Sequence, residues 1–297
     1  MTSKIAKATR VRDHGQHRGV RSAGKGQAVT NEALLAMPDA EWKLLVPKLR
    51  YVELPDHLVL HKPHETLKFL YFPNSGLISL VVFMEDGKTV EAGVVGREGI
   101  VGLPGVMGFP RHPLQEIVQV SGDGFRVSVQ AFRKLAPRLA EFQLRATRYI
   151  MSLGLQVAQT AACNRVHGLE QRLARWLLMA QDRVRADSLA ITQDFLATMM
   201  GTDRPSVTLA ERLLTRAGAI EHTRGAVRII NREQLECSTC ECYGVIAQYA
   251  AAVADGRIPA AVRRARGPAM AEESKSAPDP APIVDSGCRV RRDESPA

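Results

Sequence analysis

The chain has 297 residues, 45% of them hydrophobic, enough for two domains with cores of their own. Its net charge of +9 favours a polyanionic partner, and its five unevenly spaced cysteines do not make the disulfide framework of a small secreted protein. No basic start is followed by the apolar run of a signal peptide and no run is long enough to span a bilayer, so a soluble cytoplasmic protein with no membrane partner is expected.

Residues 1–30 carry Lys4, Lys7, Arg10, Arg12, Arg18, Arg21 and Lys25 against the single acid Asp13, among Gly, Ser and Gln without an apolar period. A disordered basic arm is expected, either a passive extension or a nonspecific hold on phosphate. Helix-start signals follow at Asn31 and at Pro38-Asp39. From Tyr51 the pattern changes to strands, at 51–54, 57–60, 68–72, 77–83, 89–95, 114–120 and 124–129, divided by turns such as 73–76 and 85–88. Short strands at this spacing predict an antiparallel β-roll, jelly-roll-like, over 31–136.

Within the roll, residues 96–111 form a Gly-rich loop with room for one short helix. Backbone N–H groups at such a turn can approach an anion and an arginine can complete the clamp, so Gly96, Arg97, Glu98, Gly99 and Arg111 are the candidate effector-binding residues. The alternative is a tight corner that binds nothing. His57, His61 and His64 lie close together, but irregularly and near strand ends, which reads as solvated loop positions and not as metal ligands.

A long helix is predicted over 137–166. Leu139, Phe142, Ala146, Tyr149, Leu153, Val157, Thr160 and Asn164 recur at alternating gaps of three and four, a heptad seam that predicts a two-stranded coiled coil and hence a homodimer. A helix buried against its own roll would show the same pattern. A further amphipathic helix over 170–185 places Leu173, Trp176, Leu177 and Ala180 inward and Arg172, Arg175, Arg183 and Arg185 outward.

The stretch 189–231 reads as a helix capped by Thr192, a turn at Gly201, a second helix from Arg204 and a hairpin. On the second helix Val207, Leu209, Ala210, Leu213 and Leu214 are assigned to a buried side and Arg204, Ser206, Thr208, Glu211 and Arg212 to a polar side. Two helices at a steep angle followed by a hairpin make a winged helix-turn-helix over 167–246, whose second helix enters the major groove of double-stranded DNA. The candidate DNA-contacting residues are Thr192, Gln193, Arg204, Ser206, Thr208, Arg212 and, at the wing tip, Arg224.

Cys237, Cys240 and Cys242 crowd into six residues and invite a metal reading, but no fourth cysteine is nearby and no second CxxC exists, so free thiols are assigned and no metal. Residues 256–297 turn to Ala, Pro, Ser and mixed charge, a disordered tail. No nucleophile, base and orienting group share a motif, so no catalytic residue is assigned and an enzyme is not expected.

The overall class is therefore α+β: roll, long dimerisation helix, winged helix-turn-helix. That order, with Tyr71-Phe72-Pro73 and Gly76, the run Asp86-Gly87-Lys88 to Gly99, Ile191-Thr192-Gln193 through Gly201, Arg204 and Val207, and the ending Cys240-Glu241-Cys242-Tyr243, resembles the Crp/Fnr family of bacterial transcription regulators over about 33–246. The resemblance implies a dimeric sequence-specific DNA-binding regulator with a sensory, cyclic-nucleotide-binding-like roll, and adds RNA polymerase as a candidate partner. It brings in cyclic nucleotide as the one candidate cofactor. However, Arg97 stands between Gly96 and Glu98, and His112-Pro113 follow Arg111 where a hydroxyl residue belongs, so none is assigned. An iron–sulfur sensor of the family's N-terminal type is excluded, since no cysteine precedes Cys163. Pro205 and Leu209 replace residues of the nucleotide-binding members, which implies a different DNA target. The competing class is a small-molecule-binding regulatory module that reads no DNA.

Overall fold

A computed structural model describes residues 21–223 and 225–254. Most of the basic arm, Arg224 and the 256–297 tail therefore lie outside the described residues.

The ordered chain begins earlier than Asn31. Strands β1 (Ser22–Ala23) and β2 (Gln27–Ala28) pair as a small antiparallel hairpin. Arg21 donates to the carbonyls of Leu34 and Met37 and to Asp39, and lies over the Trp42 ring. One arginine of the supposed arm thus serves as a clamp on the short helices α1 (Glu32–Leu35) and α2 (Asp39–Leu45). Its partners are 13 to 18 residues away in sequence, where composition does not reveal them.

The roll consists of β3 (Arg50–Leu54), β4 (Val59–His61), β5 (Phe69–Pro73), β6 (Leu77–Phe83), β7 (Thr89–Val95), β8 (Gln115–Val120) and β9 (Gly122–Ser128). Two antiparallel sheets result, ordered β3-β9-β5 and β4-β8-β6-β7. Helix α3 (Leu103–Val106) breaks the Gly-rich loop, and α4 (Val129–Leu135) leaves the roll. Between the sheets lie Leu54, Tyr71, Ile78, Leu80, Val95, Val101 and Val118, a filled apolar interior. One polar pair shares this space. His61, contrary to the solvated loop expected of it, is buried; its Nδ1 meets the Glu116 carboxylate and its Nε2 meets the Phe69 carbonyl at 2.9 Å. His57 and His64 do sit exposed in loops, both with positive φ.

Helix α5 (Ala140–Val166) runs 27 residues, roughly 40 Å at the helical rise. The seam read as a dimer contact faces this chain instead. Leu139, Phe142 and Ala146 are buried in the core under the roll, with Tyr149 and Leu153 against it, and Leu153 and Val157 approach Gly93 of β7. Further along, Thr160 accepts from Arg175 and Asn164 from Arg172. Period alone cannot say which surface covers an apolar stripe, and here the roll and the next helix do so. The exposed face of α5 carries Leu144, Met151, Gly154, Ala158, Ala161 and Ala162.

Helix α6 (Leu169–Val184) is covered on more than one side, and burial of Leu173, Trp176 and Leu177 contributes about 1.5–3 kcal/mol each. Arg175 and Arg183, expected outside, are therefore inside: Arg175 is 2% exposed, and Arg183 bonds Glu98 at 2.9 Å and Gln156 at 2.9 Å. The Trp176 indole donates to Glu91 of β7 at 2.7 Å. Residues of β6, β7 and β8 (Leu77, Val81, Val94 and Val120) belong to the same apolar cluster as α6 and the elements after it. No helix among the described residues is long and apolar enough to cross a membrane.

Candidate nucleic-acid interface

After α6 come β10 (Ser188–Leu189), α7 (Gln193–Met200), α8 (Arg204–Arg216), β11 (Ile220–Thr223), β12 (Ala226–Ile229), α9 (Arg232–Ser238) and α10 (Glu241–Ala254). Thr192 caps α7 by accepting from the Phe195 N–H at 3.2 Å. Gly201, at φ 62°, closes α7 in the left-handed conformation and frees the chain to turn. Asp203 then caps α8, accepting from the Ser206 N–H at 2.8 Å and from its hydroxyl at 2.9 Å. Those two bonds hold the Asp203 carboxyl below its usual range. The cap escaped sequence reading, although an Asp directly before Arg204-Pro205 is its usual signal.

Helix α8 buries Val207, Ala210, Glu211 and Leu214. Leu209 and Leu213, assigned to the buried side, are 59% and 38% exposed, while Glu211, assigned outside, is 2% exposed. The face is rotated because Glu211 accepts from Gln193 at 2.5 Å and lies 3.5 Å from His222, which locks α8 to α7 and to the wing. Gln193 also lies 3.3 Å from the Thr208 hydroxyl, and its bond to Glu211 makes it a clasp between helices.

The exposed side of α8 then presents Arg204, Pro205, Leu209, Arg212 and Arg216. Arg204 stands 3.3 Å from Asp194, a solvent-exposed pair worth little and readily exchanged for phosphate. Arg212 and Arg216 make no hydrogen bond or ion pair among the described residues. The hydroxyl protons of Ser206 and Thr208 are engaged by Asp203 and by the Arg204 carbonyl. The wing strands pair with Thr223 opposite Ala226, and Gly225 just before Ala226 has φ 77°. β10 adds a third strand to this sheet.

Of the candidate effector residues, those of the 96–99 loop are bound up inside the chain. Arg97 pairs with Glu32, and Glu98 pairs with Arg183 and accepts from the Gly96 N–H at 3.2 Å. The Gly99 carbonyl accepts from Asn31 at 2.9 Å, and a Cβ at Gly99 would collide with the Tyr149 hydroxyl. Arg111 is exposed beside Thr66 and shares no partner with Arg97.

The cysteines gather in a way their order in the sequence does not suggest. Cys163 of α5 and Cys240 lie with sulfurs 3.5 Å apart, and Cys242 lies 3.6 Å from His167 Nδ1. Burial pushes the Cys163 thiol up and the Cys242 thiol up to about 12. Cys237 is exposed and apart.

Residues 171–238 match the model of the Crp-like helix-turn-helix domain. No curated protein matches the chain. Among solved structures, the c-di-GMP-responsive global regulator CLP of Xanthomonas campestris is similar at 15% identity and a TM-score of 0.53, covering 65% of this chain and 100% of its own. FixK2 from Bradyrhizobium japonicum is similar at 15% identity and a TM-score of 0.52, covering 65% and 98%. A protein of Eubacterium rectale, assigned provisionally to the Crp/Fnr transcriptional regulators, gives 16% identity and a TM-score of 0.53 over 68% and 94%. The chain carries a Crp-like helix-turn-helix domain on the fold of the Crp/Fnr regulators, a cyclic-nucleotide-binding-like roll followed by a long helix and a winged helix.

Proposed function

We propose that this chain is a transcription regulator that reads double-stranded DNA as a homodimer, with the roll as its sensory part. The observation that carries the proposal is the rank of unpaired or weakly paired arginines, Arg204, Arg212 and Arg216, on the solvent side of a capped helix in a Crp-like domain. In this reading Arg204 and Arg212 contact base edges or phosphate, Arg216 contacts phosphate, and Leu209 meets a thymine methyl group. Thr192, Gln193, Ser206 and Thr208 act first by fixing the helices, and Arg224 at the wing tip adds a phosphate contact.

The dimer contact lies on the exposed face of α5. Leu144, Met151 and Ala158 follow at seven-residue steps, with Gly154, Ala161 and Ala162 small enough for a second copy of the helix to approach closely. Met151, 64% exposed at the middle of this stripe, is the large apolar side chain that a second copy would cover. Met151→Glu is expected to turn a dimer into a monomer in sedimentation while the far-ultraviolet spectrum holds.

The effector of the roll is not a cyclic nucleotide in this proposal. The apolar filling of its interior and the internal pairing of Arg97 and Glu98 support that view. The decisive experiment is selection of binding sites from random duplex DNA by the full chain. The expected product is a near-palindrome with half-sites about one DNA turn apart. A pool with no enriched motif, and an affinity that does not fall with salt, would overturn the proposal.

A further inference from the structure

The thiol and imidazole atoms of Cys163, His167, Cys240 and Cys242 all lie within 4.8 Å of one another. Cys163 and His167 are one helical turn apart at the end of α5, hence on one face. Cys240 and Cys242 arrive from the far end of the DNA-binding unit, at the junction of α9 and α10. Tetrahedral zinc, with bonds of about 2.3 Å to sulfur and 2.0 Å to nitrogen, separates two thiolates by about 3.8 Å and a thiolate from an imidazole nitrogen by about 3.6 Å. The corresponding separations here are 3.5 Å for Cys163 to Cys240 and 3.6 Å for Cys242 to His167 Nδ1.

The surroundings suit such an ion as well. The other ring nitrogen of His167, Nε2, faces Glu241 at 3.3 Å, the outer carboxylate that orients a ligating histidine. The Gln159 amide donates to Cys242 Sγ at 3.1 Å. Three thiolates and a divalent ion leave one negative charge. Beside them stands Arg175, 2% exposed, with no carboxylate at ion-pair distance and no partner for its Nε among the described residues. An iron–sulfur cube needs more room, because each thiolate then binds a different iron.

We propose that Cys163, His167 through Nδ1, Cys240 and Cys242 form a structural zinc site that fastens the junction of α9 and α10 to the end of the long helix. On binding, three thiol protons pass to solvent and no electron moves. His167 and Gly168 are the two residues between α5 and α6, so the ion sits at the joint about which the DNA-binding unit would turn. The proposal does not depend on DNA reading.

The test is metal analysis of the full chain purified with reductant and zinc, together with cobalt substitution. One zinc per chain is expected, with ligand-field and thiolate charge-transfer bands of tetrahedral cobalt in its place. Cys163→Ser, Cys240→Ser and His167→Ala should each lose the stoichiometric metal, whereas the neighbouring Cys237→Ser should keep it. His167→Cys should restore binding, and Glu241→Gln should weaken it about tenfold. Should a variant fail to fold, the cobalt spectrum of the unmodified chain still decides. A folded chain with substoichiometric zinc and no cobalt bands overturns the proposal, as does a Cys163–Cys240 disulfide that forms in preference to zinc binding.

Discussion

The Gly-rich loop at 96–99 and the outer face of α8 both offer arginine in sequence, and the structure treats them in opposite ways. In the loop each charge meets a countercharge: Arg97 meets Glu32, and Glu98 meets Arg183 of α6. On α8, Arg212 and Arg216 stand in solvent and Arg204 has one exposed partner. A charge already paired inside the chain holds elements together, and a charge left without a partner is available to a polyanion. The loop therefore joins the roll to α6, while the helix faces outward.

The difference can be broken from the loop side first. Arg183→Met leaves Glu98 half-buried with only a backbone N–H, and is expected to cost about 3–5 kcal/mol in urea unfolding. A loss below about 1 kcal/mol would mean that the pair is incidental. Close behind comes Glu91, whose carboxyl is pushed up to about 7 by burial, against the downward pull of the hydrogen bonds from Ser79 and Trp176. A carboxyl raised in the fold keeps its proton below about 7, so its contribution is fully present below its ordinary value of 4.5 and is lost as pH rises through 7. Relative to Glu91→Gln, the wild-type chain should lose about 3 kcal/mol across that interval, read from unfolding at stepped pH.

On the outward side the effects belong to binding and not to stability. Arg204→Ala or Arg212→Ala should weaken the selected DNA site by about 1–3 kcal/mol in anisotropy titrations and leave unfolding within about 0.5 kcal/mol of wild type. Equal losses on random DNA would remove these residues from base reading. Smallest is Arg216→Ala, which should cost under about 1 kcal/mol on every sequence and lower the slope of log affinity against log salt by about one per lost phosphate contact.

Strands β6 and β7 were legible residue by residue, because β-branched runs on either side of the 85–88 turn, the first of them bounded also by the turn at 73–76, leave little choice of ends. The two helices of the interface were legible for the same kind of reason: Thr192 and Gly201 mark both ends of α7. What the sequence does not contain is the identity of the surface that covers a stripe. The 139–164 seam and the arginines of α6 have the periods of a dimer contact and a solvated face, and both are covered by this chain's own roll and helices. Likewise the rotation of α8 depends on Glu211 finding Gln193 across the turn, a tertiary contact that overrides the polarity of Leu209 and Leu213. For the thiols a partial signal existed, Cys163 and His167 one turn apart, but their partners lie more than 70 residues away.

The apolar cluster that runs without a break from β6, β7 and β8 into α6, α7 and α8 has a thermal consequence. Were the DNA-binding unit to swing away from the roll, Leu77, Val81, Val94 and Trp176 would meet water, and the heat capacity would rise with the area uncovered. The swing would then cost less in the cold, since apolar hydration is least unfavourable there. Any signal that acts through such a motion would carry that temperature dependence into the strength of its own binding, and calorimetry would read it as a change in heat capacity rather than in enthalpy alone.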